Sequence, residues 1–217
     1  MSRAPDPSRV VREGYDRLDG TYRAWVARMT NGPRAAFLGK VLGLTPPGAA
    51  ILEVGCGPGT DARALADRRR YTGIDLSAVQ LRHARAAVPQ GTFILGDVLE
   101  VDLPPASFDA VVAFYVFGHI PAVRLEELLD RIAVWLRPGG LLCASFGTSD
   151  DPGSIEPMWL GAVDMYFSSL PTEATERALD AAGYSILSAE TLTEIEADEG
   201  PATFQWVIAR HAGGGRP

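Results

Sequence analysis

Three glycines within five residues, Gly55-Cys56-Gly57-Pro58-Gly59, follow the apolar run Ala50, Ile51, Leu52 and Val54, in which Glu53 is the one charge. Glycines so spaced mean backbone at positive φ, or backbone that lets a ligand come closer than a Cβ permits. Thr60 or Asp61 can cap a helix just beyond, so the unit reads strand, glycine loop, helix. It offers amide N–H groups and the positive end of a dipole to whatever binds. The dinucleotide fingerprint G-x-G-x-x-G places its third glycine one residue later, and Pro58 removes an N–H that a pyrophosphate cradle would use. About 20 residues after Glu53, Asp75 ends a second apolar run, where one carboxylate can accept from both vicinal hydroxyls of a ribose. That placement suits a nucleoside without choosing which. His119, beyond a further apolar run, titrates near neutral pH and is the best-placed candidate base.

These residues need a sheet to hold them at one edge. Ala50 to Val54, Arg70 to Ile74, Thr92 to Leu95, Ala110 to Tyr115 and Leu141 to Phe146 read as strands, with helices between them, which predicts a parallel α/β sheet. Ser77 to Gln80 has the form of a capping box, which would leave Asp75 free for a ligand. Pro121 is expected at the first position of a helix carrying Leu125, Leu128, Leu129, Ile132 and Leu136 on one face. Before the first strand, Val11, Tyr15, Leu18, Tyr22, Trp25 and Met29 form an amphipathic stripe, on one helix or on two broken near Gly20. After the fifth strand, residues 147–171 leave the helix–strand rhythm yet carry Met158, Trp159, Met165, Tyr166 and Phe167, which must pack on the core or on a ligand. A helix from Thr172 and two strands joined by an acidic loop complete the chain.

The chain has 217 residues, 47% of them hydrophobic, and a net charge of −7, which fits one domain able to bury a full core. An acidic chain with a single lysine repels nucleic acid, and Arg68-Arg69-Arg70 reads as a helix end. The longest apolar run, Ala110 to Phe117, is far shorter than the roughly 20 residues of a bilayer span, and Met1 to Pro7 lacks the apolar stretch of a signal peptide. Cys56 and Cys143 lie far apart with no metal-ligand spacing, which suits reduced thiols in the cytoplasm. Asp150-Asp151 has no third ligand beside it, so no metal is expected.

Taken together, E-x-G-x-G-x-G, Asp75, Gly96-Asp97-Val98, the S-F-D before the fourth strand and Leu136-Arg-Pro-Gly-Gly resemble the class I S-adenosylmethionine-dependent methyltransferases of the small-molecule type. The resemblance covers about residues 10–210. It implies a Rossmann-like, seven-stranded, mostly parallel sheet of order 3-2-1-4-5-7-6 with its last strand antiparallel and helices on both faces. Residues 9–210 would form one domain: a helical cap over 9–44, a core over 50–146, a substrate lid over 147–171, and a helix and hairpin over 172–210. Residues 1–8 and 211–217 would be disordered or flexible tails.

S-adenosylmethionine would then be the cofactor and S-adenosylhomocysteine the product. The implied cofactor set is Tyr15, Tyr22, Glu53, Gly55, Cys56, Gly57, Gly59, Asp75, Leu76, Gln80, Gly96, Asp97, Val98 and Phe114, with Asp75 on the ribose and Asp97 on the adenine amine. His119 and Tyr115 are the catalytic candidates, His119 equally able to orient its loop. Phe117, Trp159, Met165 and Tyr166 are expected in the substrate pocket. The N/D-P-P-Y/F signature of methyltransferases acting on base amines or glutamine is absent after the fourth strand. The expected activity is methyl transfer to O, N or C of a small molecule of specialised metabolism, by a monomer or homodimer with no nucleic-acid or membrane partner. The alternatives are a protein that binds the cofactor without methylating and an NAD-dependent oxidoreductase.

Overall fold

The structure, a computed structural model, describes residues 5–28, 32–196 and 199–213. Seven strands form the main sheet, in the order β3 (Thr92–Leu95), β2 (Arg70–Asp75), β1 (Ala50–Val54), β4 (Phe108–Ala113), β5 (Leu136–Gly147), β9 (Gly200–His211), β8 (Tyr184–Glu196). All neighbours from β3 to β5 pair parallel, while β9 runs antiparallel to both β5 and β8. The sheet therefore has the expected Rossmann-like methyltransferase topology, with the seventh strand reversed.

The apolar runs of the central strands are buried on both faces by alternation. Leu52, Val54, Val111, Ala113, Leu142 and Ala144 pack under α5 (Leu125–Trp135) and α6 (Thr172–Ala181). Ile51, Ala110, Val112 and Cys143 face the other way, onto Phe37 and Val41 of α2 (Pro33–Leu44) and Leu65 of α3 (Ala62–Ala66). Asp109 of the S-F-D turn ties β1 to the start of β5, accepting from the Ala50 N–H at 2.7 Å and pairing with Arg137 at 2.6 Å.

Several boundaries differ from expectation. Pro121 precedes a short 3-10 turn over Ala122–Arg124, and the α-helix starts only at Leu125. The fifth strand begins at Leu136, which pairs with Phe108 before Pro138-Gly139-Gly140 bulges out and Leu141 takes up register with Ala110. The helix α1 (Pro7–Arg28) starts inside the expected tail and is kinked at Asp19, beside Gly20. Residues 1–4 and 214–217 of the two expected tails, and Met29 of the expected stripe, lie outside the described residues. Residues 147–171 contain a two-stranded hairpin, β6 (Asp151–Trp159) and β7 (Val163–Ser169), separate from the main sheet. Its apolar side chains Trp159, Val163, Met165 and Tyr166 pack against Val11 and Leu18 of α1. The N-terminal stripe thus covers the hairpin, and the two elements form a cap over the carboxyl edge of the sheet.

Candidate active site

Gly55, Gly57 and Gly59 all take positive φ, at +64°, +52° and +83°. A Cβ at Gly59 would stand 3.0 Å from the Cα of Ala84, so this glycine lets α4 (Ala78–Ala87) approach. A Cβ at Gly55 would overlap Val116, whereas at Gly57 the nearest atom is the Tyr22 ring at 3.8 Å. Gly57 is therefore the glycine that leaves room for a ligand.

Asp75 closes the loop from the end of β2. Its two oxygens accept from the Gly57 N–H at 2.7 Å and the Ser77 N–H at 2.8 Å. Ser77 caps α4 by accepting from the Gln80 N–H, but the Gln80 side chain donates to the Tyr15 carbonyl instead of returning to Ser77. The capping box is therefore half formed, and Asp75 supplies its missing half, which corrects the expectation that Asp75 stands free. Each carboxylate oxygen still has a lone pair for a ligand. Burial pushes the Asp75 carboxyl up to about 6, against the two N–H bonds that lower it.

Around this loop lies a narrow cleft of about 80 Å³. It is lined by Tyr15, Tyr22, Gly55, Gly57, Asp75, Leu76, Gln80, Gly96, Asp97, Val98 and Phe114, all members of the expected cofactor set, and by Ser8, Val11 and Val116, which sequence reasoning missed. Three members of that set are not in its wall. Cys56 is 2% exposed, with its sulfur against Gly73. Glu53 is 3% exposed and accepts from the Tyr71 hydroxyl, with burial and Asp61 pushing its carboxyl up to about 8. Gly59 serves the helix contact already described.

At the far end Asp97 accepts from Leu99 N–H at 2.9 Å and from the Ser8 hydroxyl at 2.6 Å. The Gln80 side chain, 1% exposed, has its Oε1 without a hydrogen-bond partner among the described residues. A buried amide oxygen on the cleft wall calls for a donor from a ligand. The carboxylates of Asp75 and Asp97, the Gln80 Oε1 on the cleft wall and an open glycine backbone fit an adenosyl group with its hydroxyls, its exocyclic amine and a methionine tail.

A second chamber of about 510 Å³ adjoins the cleft. Tyr15, Tyr22, Tyr115 and His119 line both and form the junction. His119 Nδ1 lies 2.9 Å from the Tyr166 carbonyl, which can only accept, so Nδ1 carries the proton. Nε2 then accepts from the Tyr15 hydroxyl at 2.7 Å. Burial holds His119 below its ordinary value, so it rests as a neutral imidazole locked in one tautomer with its lone pair already engaged. Tyr115 takes a left-handed φ of +60°, its N–H donating to Ser145 Oγ at 2.7 Å and its hydroxyl to Glu194 Oε1 at 2.6 Å. Burial and Glu194 push the Tyr115 phenol far up, so it makes a poor base.

Of the four residues expected in the substrate pocket, Trp159 alone lines the chamber. Phe117 turns into the core and stacks on Phe146 at 4.4 Å. Met165 is fully buried against Gly14 of α1. Tyr166 packs beside Gly153, and its part in the site is the carbonyl that orients His119. The wall also includes Trp25, Arg34, Phe167, Glu196 and Phe204, from five separate elements, and no local sequence signal brings them together.

Residues 51–140 match the family model of a methyltransferase domain. A trans-aconitate 2-methyltransferase from Azoarcus sp. is 37% identical over 111 residues, 49% of this chain and 42% of that protein. The chain spans roughly a third to a half of the curated relatives it matches. Among solved structures, a 1,6-didemethyltoxoflavin-N1-methyltransferase from Burkholderia thailandensis, with 1,6-didemethyltoxoflavin and S-adenosylhomocysteine bound, is similar at TM-score 0.71 and 20% identity, covering 97% of this chain and 92% of that one. The 4+2 cyclase SpnF shares the fold at TM-score 0.71 and 20% identity, over 99% of both chains. Motif, topology and the match over residues 51–140 agree: this part of the chain is similar to a methyltransferase domain, and the sheet has the class I methyltransferase order.

Proposed function

We propose that this protein transfers a methyl group from S-adenosylmethionine to a small-molecule acceptor held in the 510 Å³ chamber. The observation that carries the reading is the junction, where Tyr15, Tyr22, Tyr115 and His119 line both cleft and chamber, so two ligands would meet there end to end. When bound, the cofactor supplies an electrophilic methyl on a sulfonium. Asp75 accepts from the ribose hydroxyls, Gln80 Oε1 takes a further donor, and Asp97 exchanges the Ser8 hydroxyl for the adenine amine. The open backbone at Gly57 passes beneath the methionine end.

Positioning supports most of the rate in this account, since holding nucleophile and methyl in line about 3 Å apart replaces a bimolecular encounter. The α1–hairpin cap keeps water from the junction. An acceptor that arrives protonated at its nucleophile can pass its proton to Tyr15 Oη while the Tyr15 proton moves to His119 Nε2. Burial makes the resulting imidazolium costly, so His119 serves first as the anchor of Tyr15. That His119 has any catalytic part, and that Tyr115 acts as wall more than base, belong to this proposal.

A second reading keeps the cofactor but not the transfer, and the cyclase that shares this fold supports it. The two separate on incubation with methyl-labelled S-adenosylmethionine and a panel of amines, phenols, acids and heterocycles. Label in an acceptor, with S-adenosylhomocysteine released in equal amount, is the expected result. Bound cofactor that keeps its label across the panel favours the second reading.

A further inference from the structure

The chamber beside the cleft is built from two kinds of surface. Tyr22, Trp25 and Trp159 form an aromatic box: Tyr22 stacks on Trp25 at 5.9 Å, and Trp159 meets Trp25 edge-on at 6.0 Å. The same chamber is also lined by Asp151, Glu156, Glu196 and Glu199. Arg34 is the single cation among the described lining residues, and it is matched by Asp61 at 2.9 Å while lying 5.7 Å from the centre of the Tyr115 ring. Among the described residues the ion pairs leave all four lining carboxylates out. Their hydrogen bonds come from neutral donors, the N–H of Gly153 and the Ser154 hydroxyl to Asp151 and the N–H of Leu160 to Glu199.

We propose that the chamber takes an organic amine as its ammonium cation, with the hydrocarbon or aryl body in the box of Tyr22, Trp25 and Trp159 and the charge facing Glu196 and its neighbours. The assignment rests on the methyltransferase reading of the adjoining cleft. Aromatic faces attract cations through the ring quadrupole, and a partly desolvated carboxylate prefers a cation to any neutral partner. An anionic acceptor, of the kind the name of the trans-aconitate relative gives for that protein, would meet four carboxylates in this chamber. The electrostatics agree with a missing positive charge: burial, with Glu194, Glu199 and Glu156 around it, pushes the Glu196 carboxyl up to about 7.

The test is calorimetric titration of the protein saturated with S-adenosylhomocysteine, using phenethylamine and tryptamine, the matching alcohols, and 3-phenylpropanoate and indole-3-propanoate. The amines are expected to bind about tenfold or more tighter than the alcohols, with the acids weakest. Glu196→Gln is expected to cut amine affinity about tenfold while leaving alcohol and S-adenosylhomocysteine binding unchanged. Glu156→Gln, on an exposed strand, replaces it should that variant fold poorly. Acids or alcohols binding as well as amines, or no amine binding to a protein that holds S-adenosylhomocysteine, overturns the assignment. Failure to bind S-adenosylhomocysteine at all would instead sink the cofactor reading and the assignment with it.

Discussion

Replacing Asp75 with Asn separates a ligand role from a structural one, because the two predict opposite patterns of loss. Burial raises the Asp75 carboxyl from 3.8 to about 6 in the folded chain. Two pKa units correspond to roughly 3 kcal/mol of cost for keeping it ionised at neutral pH. Asn removes that cost but can accept only one of the two N–H groups, from Gly57 or Ser77, leaving the other facing an amide NH₂. The lost bond to a charged group is worth roughly 1.5–3 kcal/mol, so gain and loss nearly cancel and the melting temperature of the ligand-free variant should stay within a few degrees of the parent. A ribose loses its anionic acceptor with nothing in return, and the affinity for S-adenosylhomocysteine should fall roughly 10- to 150-fold by calorimetry. In the parent protein that affinity should also fall about tenfold per unit as pH drops below 6, as the carboxylate takes up its proton, and the variant should lack this dependence. A large drop in melting temperature with undiminished affinity would make Asp75 a brace for the glycine loop and refute the reasoning.

Three further outcomes are expected. Asp75 and Glu53 are both raised in the folded chain, to about 6 and about 8, so the folded state holds these protons more tightly than the unfolded one. Their contribution is complete below the ordinary carboxylate range and is lost as pH rises through those values; denaturant midpoints should fall between about pH 4.5 and 8, and Glu53→Gln should flatten the upper part of that fall. Ser8→Ala removes the hydroxyl that occupies Asp97 and should raise S-adenosylhomocysteine affinity several-fold, about 1 kcal/mol; a weaker complex would show that Ser8 aids binding. Gly55→Ala places a Cβ into Val116 at a φ of +64°, and a loss of about 1–3 kcal/mol in denaturant stability is expected.

The sheet was legible because its central strands are continuous apolar runs bounded by glycine and proline, and burial on both faces demands such runs. The kink near Gly20 and the acid at the end of β2 were legible for equally local reasons. The cap was not. In the hairpin, Met165 and Trp159 are alike in hydrophobicity, yet packing against α1 buries the first fully and leaves the second on the chamber wall. Phe117 follows the carboxyl end of β4 closely in sequence, but a 3-10 turn over Phe117–His119 points it into the core and leaves His119 at the junction. Glu196 and Glu199 reach the chamber from the far end of the β8–β9 hairpin, and Arg34 from the start of α2, through tertiary contacts that no local spacing announces. The partner of Asp97 has a simpler cause: residues 1–8 are polar and proline-containing and read as a tail, whereas helix α1 already begins at Pro7 and carries Ser8 to Asp97.

The most direct measurement is a calorimetric comparison of S-adenosylhomocysteine with NAD on the unmodified protein. The account predicts one S-adenosylhomocysteine per chain and no comparable binding of NAD, since the cleft provides acceptors for a single adenosyl group and a glycine loop in which Pro58 has no N–H for a pyrophosphate. Equal or tighter binding of NAD would contradict it.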